Sequence, residues 1–307
     1  MASPAPRAVG PAPESSRRLD DFPGTMEAML IPPALPVPSK GIAVVTGASS
    51  GIGAAVAAAL VNLPDTSFRV IGTTRDPARI TSPIDGVEYL ALDLANPESI
   101  ASFAHEILER GVPAVLINNA GESQSGPLEE LPREALERLF QTNVLGHIDL
   151  TQRLLPAMRE AKQGRIVMVG SMLGSFPLAF RSSYVASKAA IKGFAFAARR
   201  EVRPFGVGIA VMEPGSINTG LSERRTKYVD ADGAYGREFA TMLRKLDANE
   251  ASGISAERVA EEIVAAVVDR RQKPLYAAGS LAPVVFPLSR VLPREAMHWV
   301  INRRHGL

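Results

Sequence analysis

Short apolar runs alternate with longer amphipathic segments over most of this chain. Residues 42–46, 68–73, 87–92, 114–117, 165–169 and 207–212 are runs of four to six mainly apolar residues, rich in Val and Ile. They predict short buried strands. Between them, residues 52–61, 97–109, 133–161 and 183–202 carry apolar residues at helical spacing and predict helices. Strands buried on both faces read as continuous apolar runs, and strand–helix alternation at this spacing implies a parallel sheet covered by helices on both sides. Right-handed crossovers then leave an α/β fold with a doubly wound parallel sheet, in one domain, as the economical topology.

The ends and one insertion break this pattern. Residues 1–40 hold nine of the 24 prolines (Pro4, Pro6, Pro11, Pro13, Pro23, Pro32, Pro33, Pro36 and Pro38) and no hydrophobic period. They are expected to form a disordered leader, with order beginning at Gly41 and Met26 a second candidate start. Arg17-Arg18 is followed by Leu19-Asp20-Asp21 rather than an apolar segment, which argues against an export signal. After Gly215, residues 216–253 turn polar and mixed, as a substrate lid would after a strand's carboxyl end. A helix is expected over 255–270 and a last strand over 273–278. The tail, 281–307, joins an apolar run to Arg290, Arg294, Arg303 and Arg304. It could join an interface, cover the pocket or touch a membrane surface. Pro283, Pro287 and Pro293 interrupt any long amphipathic helix, which disfavours the last.

Composition narrows the chemistry. The 307 residues are 46% hydrophobic and 21% charged, with a net charge of +2 and no long basic run, so nucleic-acid binding is not expected. The lack of any cysteine excludes disulfides and thiolate catalysis. It is compatible with a reducing compartment, and a cytoplasmic location is expected. His105, His147, His298 and His305 lack ligand spacing, so no metal site is expected. No apolar stretch reaches the roughly 18 residues of a membrane span.

Two segments carry the candidate chemistry. The first strand runs into Thr46-Gly47-Ala48-Ser49-Ser50-Gly51-Ile52-Gly53, and a helix follows. Glycines there let the backbone approach a pyrophosphate, while the helix N-terminus offers unpaired N–H groups and a positive dipole. Farther on, Tyr184-Val185-Ala186-Ser187-Lys188 sets a phenol and an ammonium one helical turn apart, on one face. A buried ammonium beside the phenol would favour phenolate. Ser171, thirteen residues before Tyr184, ends the fifth strand, so all three meet at the sheet's carboxyl edge, where such folds bind ligands.

Residues 46–53 resemble the TGxxxGxG turn of the short-chain dehydrogenase/reductase family. Asn118-Asn119-Ala120-Gly121 resembles that family's NNAG segment, and Asp93 in Leu92-Asp93-Leu94 matches its adenine-side carboxylate. The resemblance spans about residues 41–280, and its region and apolar tail look like the hydroxysteroid and retinol dehydrogenase branch. It implies a Rossmann fold and an oxidoreductase interconverting a carbonyl and an alcohol. Tyr184 would be the general acid/base, Lys188 would tune it and hold the nicotinamide ribose, and Ser171 would bind the substrate oxygen. Asn143 would hold a water of the proton relay. Pro214-Gly215 and Ile217 would lie near the nicotinamide, with Thr46, Gly47, Ser49, Ser50, Gly51, Ile52, Gly53, Asp93, Leu94, Asn119, Ala120 and Gly121 around the rest of the cofactor.

The second strand ends in Thr73-Thr74-Arg75 without the carboxylate that an NAD site places there, and Arg75 suits a 2′-phosphate; NADP(H) is therefore expected over NAD(H). Asp76 would reach the ribose only if the register moved by one residue. Walls at 122–126, 172–180 and 216–250, with Met172, Leu173, Phe176, Leu178 and Phe180, suit a small hydrophobic carbonyl or alcohol such as a steroid, retinoid or polyketide. The helices at 133–161 and 183–202 resemble the family's dimer helices, with Ala189, Ala190, Gly193 and Ala195 allowing close approach in a homodimer or homotetramer. An NADP-dependent epimerase or dehydratase, and a non-catalytic NADP(H)-binding regulator, are the alternatives.

Overall fold

The computed structural model describes residues 34–220 and 223–307. The expected leader, Met26 and Arg17-Arg18 lie largely outside these residues, but residues 34–39 do not fit a leader. Leu35 is buried and its N–H donates to the Arg270 carbonyl (2.7 Å), so packed chain begins ahead of Gly41.

In chain order the main elements are β1 (Lys40–Val45), α1 (Gly51–Val61), β2 (Ser67–Thr74), β3 (Val87–Ala91), α2 (Pro97–Arg110) and β4 (Pro113–Asn118). The short β5 (Gln124–Ser125), α3 (Arg133–Phe140), α4 (Gly146–Glu160), β6 (Gly164–Val169), α5 (Ser182–Val202) and β7 (Val207–Pro214) follow. The chain ends through β8 (Thr226–Lys227), α6 (Gly236–Ala251), α7 (Ala256–Val268), β9 (Leu275–Ala278), α8 (Ala282–Leu288) and α9 (Arg294–Arg304).

Seven parallel strands form one sheet in the order β3-β2-β1-β4-β6-β7-β9. Every residue of β4, β6 and β7 is buried, which explains their mainly apolar sequence, with Asn118, Arg165 and Glu213 the buried exceptions. Ile100, Phe103 and Ile107 of α2, with Leu150, Leu154 and Met158 of α4, pack on one face. Val56 and Leu60 of α1, with Val259, Ile263 and Val267 of α7, pack on the other. The strand order reverses between β1 and β4, which opens a crevice at their carboxyl ends. This is the doubly wound, Rossmann-like fold expected. Among the described residues no helix is long and apolar enough to cross a membrane.

Three expectations need correction. The single helix over 133–161 is two helices joined by a π-helical turn, Gln141–Leu145, in which the Gly146 N–H reaches back to the Gln141 carbonyl. Tight packing sets this turn against the chain after β3, because a Cβ on Gly146 would lie 2.4 Å from the Leu94 carbonyl oxygen. The segment 216–253 is not irregular throughout. It contains α6, whose narrow stripe of Phe239, Met242 and Leu246 packs on Leu178 inside an otherwise charged sequence. Ala195 lies in the core rather than on an outer face, whereas a Cβ on Gly193 would meet nothing within 4 Å.

Leu154 fills the space between α4 and the sheet with no exposure. Leu154→Ala is expected to cost about 2–5 kcal/mol, lowering the urea midpoint with an unchanged slope and leaving NADPH binding intact below the transition.

Candidate active site

The turn between β1 and α1 is shaped for close approach by a ligand. Gly47 and Gly51 adopt left-handed φ of 67° and 54°, which an L side chain rarely takes. A Cβ on Gly53 would lie 2.2 Å from the Gly47 carbonyl oxygen, so only glycine lets the helix start this close to the turn. Ser50 precedes α1 without capping it through its side chain, and no acidic residue occupies the first turn. The orphaned N–H groups and the positive end of the helix dipole are thus left to a phosphate.

Thr46 ties this turn to the chain after β4. Its Oγ1 accepts from the N–H groups of Asn119 (2.8 Å) and Ala120 (3.0 Å) and lies 3.3 Å from the Ile117 carbonyl, to which it donates. Asn119 Nδ2 returns a bond to the Thr46 carbonyl (2.9 Å). These residues fit a dinucleotide: glycine turn, helix N-terminus and neighbouring chain all face one cavity of about 920 Å³.

The cavity runs on to the candidate catalytic set. Ser171 follows β6 and caps a short 3-10 turn by accepting from the Leu173 N–H (3.2 Å). Its hydroxyl lines the cavity wall with the Tyr184 phenol. Tyr184 and Lys188 project from α5 into the same wall. Burial pushes the Tyr184 phenol above its ordinary range, while the neighbouring Arg181 cation and the Ser171 hydroxyl pull it back. Lys188 Nζ donates to the Val169 carbonyl (2.8 Å), and burial pushes its ammonium down to about 8.

Asn143 stands behind this wall rather than in it. Within the π-helical turn its Oδ1 accepts from the Glu122 N–H (2.8 Å), and its Nδ2 donates to the Glu122 carbonyl (3.0 Å) and to Ser187 Oγ (3.3 Å). His147, held neutral by burial that pushes it down to about 4, sits 2.7 Å from the Ala120 carbonyl through Nε2. Scattered histidines gave no sign of that supporting role in the sequence.

Most expected cofactor residues line the cavity. Gly47, Ser49, Ser50, Gly51 and Ile52 do so from the glycine turn, and Asn119, Ala120 and Gly121 from the chain after β4. Arg75, Asp93 and Leu94 also line it, as do Pro214, Gly215 and Ile217. Thr46 and Gly53 shape the turn from behind. Asp76 faces its own 3-10 turn, accepting from the Ala78 N–H and pairing with Arg79 (3.1 Å).

The substrate wall differs from expectation in three ways. Leu178 and Phe180 pack against α6 instead of lining the cavity. The tail lines it with Val285, Leu288, Met297 and Ile301 from α8 and α9. The wall also holds charged groups, Arg181 and Glu250 among them. Arg181 carried no motif in the sequence, and its only signal was its place one turn before Tyr184.

A glycine turn at the crevice of a doubly wound sheet, opening onto a buried Ser–Tyr–Lys set, defines a nicotinamide-dependent oxidoreductase. Comparison with known proteins agrees. The family model for short chain dehydrogenases matches residues 41–230. The 3-ketodihydrosphingosine reductase of Bacteroides thetaiotaomicron is 31% identical over 85% of this chain and 96% of its own length. Human 17-beta-hydroxysteroid dehydrogenase type 1 is 34% identical over 61% of this chain and 60% of its own. A metagenomic short-chain oxidoreductase solved in complex with NADP is 29% identical, covers 78% of this chain and 95% of its own, and superposes with a TM-score of 0.60. The chain belongs to the short-chain dehydrogenase/reductase family and is an oxidoreductase.

Lys188 generates a stability prediction. Its folded-state value of about 8 lies below the roughly 10.4 of an unfolded lysine, so the unfolded chain binds the extra proton between those values. Burying the ammonium therefore costs about 3 kcal/mol below pH 8, a cost that vanishes as pH rises through that window. Lys188→Met is expected to unfold at higher denaturant than the wild type at pH 7. The gap should narrow above pH 8, as followed by urea titration of the cofactor-free protein.

Proposed function

We propose that the protein is an NADP(H)-dependent oxidoreductase that interconverts a hydrophobic ketone or aldehyde and its alcohol, with Tyr184 as general acid in reduction and general base in oxidation. The observation that carries this reading is that Ser171, Tyr184 and Lys188 share the wall of the cavity that starts at the glycine turn. Bound there, the nicotinamide would supply or accept the hydride. Ser171 would donate to the substrate oxygen as negative charge gathers on it, and Tyr184 would deliver its proton to that oxygen. Lys188, beside Gly121, would hold a ribose hydroxyl and stabilise the phenolate left behind. Asn143 would serve a water relay only through its backbone, because its side-chain amide already makes three bonds.

Support for NADP(H) comes from the end of β2. Arg75 is exposed at the cavity rim and makes no ion pair among the described residues, while Asp76 is turned away. Arg224 adds a second cation over the glycine turn, donating to Ser50 Oγ (3.2 Å). The solved neighbour holding NADP agrees. Support for a hydrophobic substrate comes from Met172, Phe176, Val285, Leu288, Met297 and Ile301 at the far end of the cavity. Relatives named for 3-ketodihydrosphingosine and for a 17-beta-hydroxysteroid point the same way. A cytoplasmic homodimer or homotetramer completes the reading. The open face at Gly193, flanked by exposed Phe194 and Phe196, suits the contact.

The test is oxidation of NADPH by a panel of hydrophobic ketones, with NADH in parallel. Turnover with NADPH is expected, and Tyr184→Phe should lose about 10²–10⁴-fold in kcat while binding NADPH normally. Arg75→Ala should raise KM for NADPH about tenfold or more and leave NADH nearly unchanged. Tight NADPH binding with no turnover of any ketone or alcohol would move the reading to an epimerase, a dehydratase or a regulator.

A further inference from the structure

We infer that Arg181 is a positioning residue for Tyr184, a buried cation stacked on the phenol ring that favours the phenolate formed when the proton leaves. This rests on the proposed oxidoreductase reading.

Arg181 immediately precedes α5 and lies three residues before Tyr184, which brings its guanidinium under the ring one turn on. The guanidinium carbon sits 4.3 Å from the ring centroid, compared with 5.9 Å for Lys188 Nζ. Arg181 is only 2% exposed and lines the catalytic cavity. The two N–H groups of one terminal nitrogen are shared among three acceptors, Ser123 Oγ (3.0 Å), the Gln124 carbonyl (3.0 Å) and Ser125 Oγ (2.9 Å). All three acceptors are neutral, and Nε has no partner. Arg181 makes no ion pair among the described residues; Glu250 and Asp247, which Arg225 binds directly, favour its charge only from beyond ion-pair distance.

An unpaired guanidinium in a dry wall is costly, and neutral donors could anchor β5 equally well. A phenolate at Tyr184 would be its counter-charge, in surroundings where little water screens the pair. The two cations also differ in persistence. Burial lowers Lys188 to about 8 but Arg181 only to about 10, so Arg181 stays charged where the cofactor-free Lys188 has begun to lose its proton. The other groups around the phenol are Ser171 after β6, Arg225 before β8 and Glu250 of α6. Arg225 favours the phenolate and Glu250 opposes it, whereas Asp247 acts on Arg181 and neutral His147 of α4 lies beside Lys188.

The experiment compares the full-length wild type with Arg181→Gln, Arg181→Met and Arg181→Lys, each first checked for NADPH binding. The rate of alcohol oxidation, kcat/KM, is followed from pH 6 to 10. Both neutral variants should move the acidic limb up by about one pH unit, a tenfold loss on that limb, with KM for NADP within twofold. Arg181→Lys should keep the limb near its wild-type position. The phenol's ionisation is read independently by ultraviolet titration against Tyr184→Phe, and should shift by the same amount. An unmoved limb and phenol titration in the neutral variants would overturn the proposal. So would failure of both neutral variants to bind NADPH, since Arg181 would then be an element of the fold. If the wild type turns over no alcohol, the oxidoreductase reading fails by itself, and the phenol titration still decides the role of Arg181.

Discussion

The rest of the site depends on keeping an ammonium charged in a place that disfavours charge. Lys188 is buried at the carboxyl edge of the sheet, and among the described residues its only hydrogen bond is to the Val169 carbonyl. That bond joins the first turns of α5 to the end of β6. It therefore fixes where Tyr184 stands relative to Ser171, whose backbone continues the same strand end. The elements around it read as supports for this placement. The π-helical turn brings Asn143 against Ser187, and Ser187 Oγ bonds the Tyr184 carbonyl (2.8 Å), so α4 holds α5 at the same level from the other side. Stability is given up to keep these groups buried, as is common where a site must hold unusual protonation states.

The sheet was legible in the sequence because its strands are buried on both faces. Val115, Leu116 and Ile117, or Ile166, Val167 and Met168, have no solvent face to alternate toward, so they spell a strand without help from context. The site was legible where chemistry demands fixed spacings: glycines at the phosphate turn, and a phenol and ammonium one turn apart. Features set by long-range packing were not legible. The π-helical turn follows from how closely Gly146 approaches Leu94, a contact between residues far apart in the chain. Helix α6 hid because its core-facing stripe is three residues wide in a charged segment. Arg181 hid because a lone arginine before a helix is ordinarily a surface residue, and nothing local says that β5 will bury it.

The cavity has two ends built on different principles. The end proposed for the cofactor is framed mainly by backbone: glycine turn, helix N-terminus and the Asn119–Gly121 chain, all tied through Thr46. The substrate end is made of side chains from separate pieces of chain, with Met172 and Phe176 after β6, Leu246 on α6, and Val285, Leu288, Met297 and Ile301 in the tail. Phe176 meets Phe286 edge to face at 5.0 Å, which couples the wall after β6 to the tail.

That division bears on how specificity is set. The tail reaches the cavity through a backbone constraint rather than through apolar attraction alone. Gly279, Ser280 and Leu281 are all left-handed, with φ of 82°, 43° and 57°. Two of them carry a side chain, so the turn is strained and needs something to hold it. Ser280 Oγ supplies this, accepting from the Ser216 N–H (2.8 Å) beside Gly215, where a Cβ would lie 2.4 Å from that same oxygen. The turn that starts the tail is thereby locked to the turn that borders the nicotinamide end of the cavity. Movement of the tail to admit a large apolar substrate would thus be felt at Pro214-Gly215, which makes the substrate wall and the cofactor floor one mechanical unit.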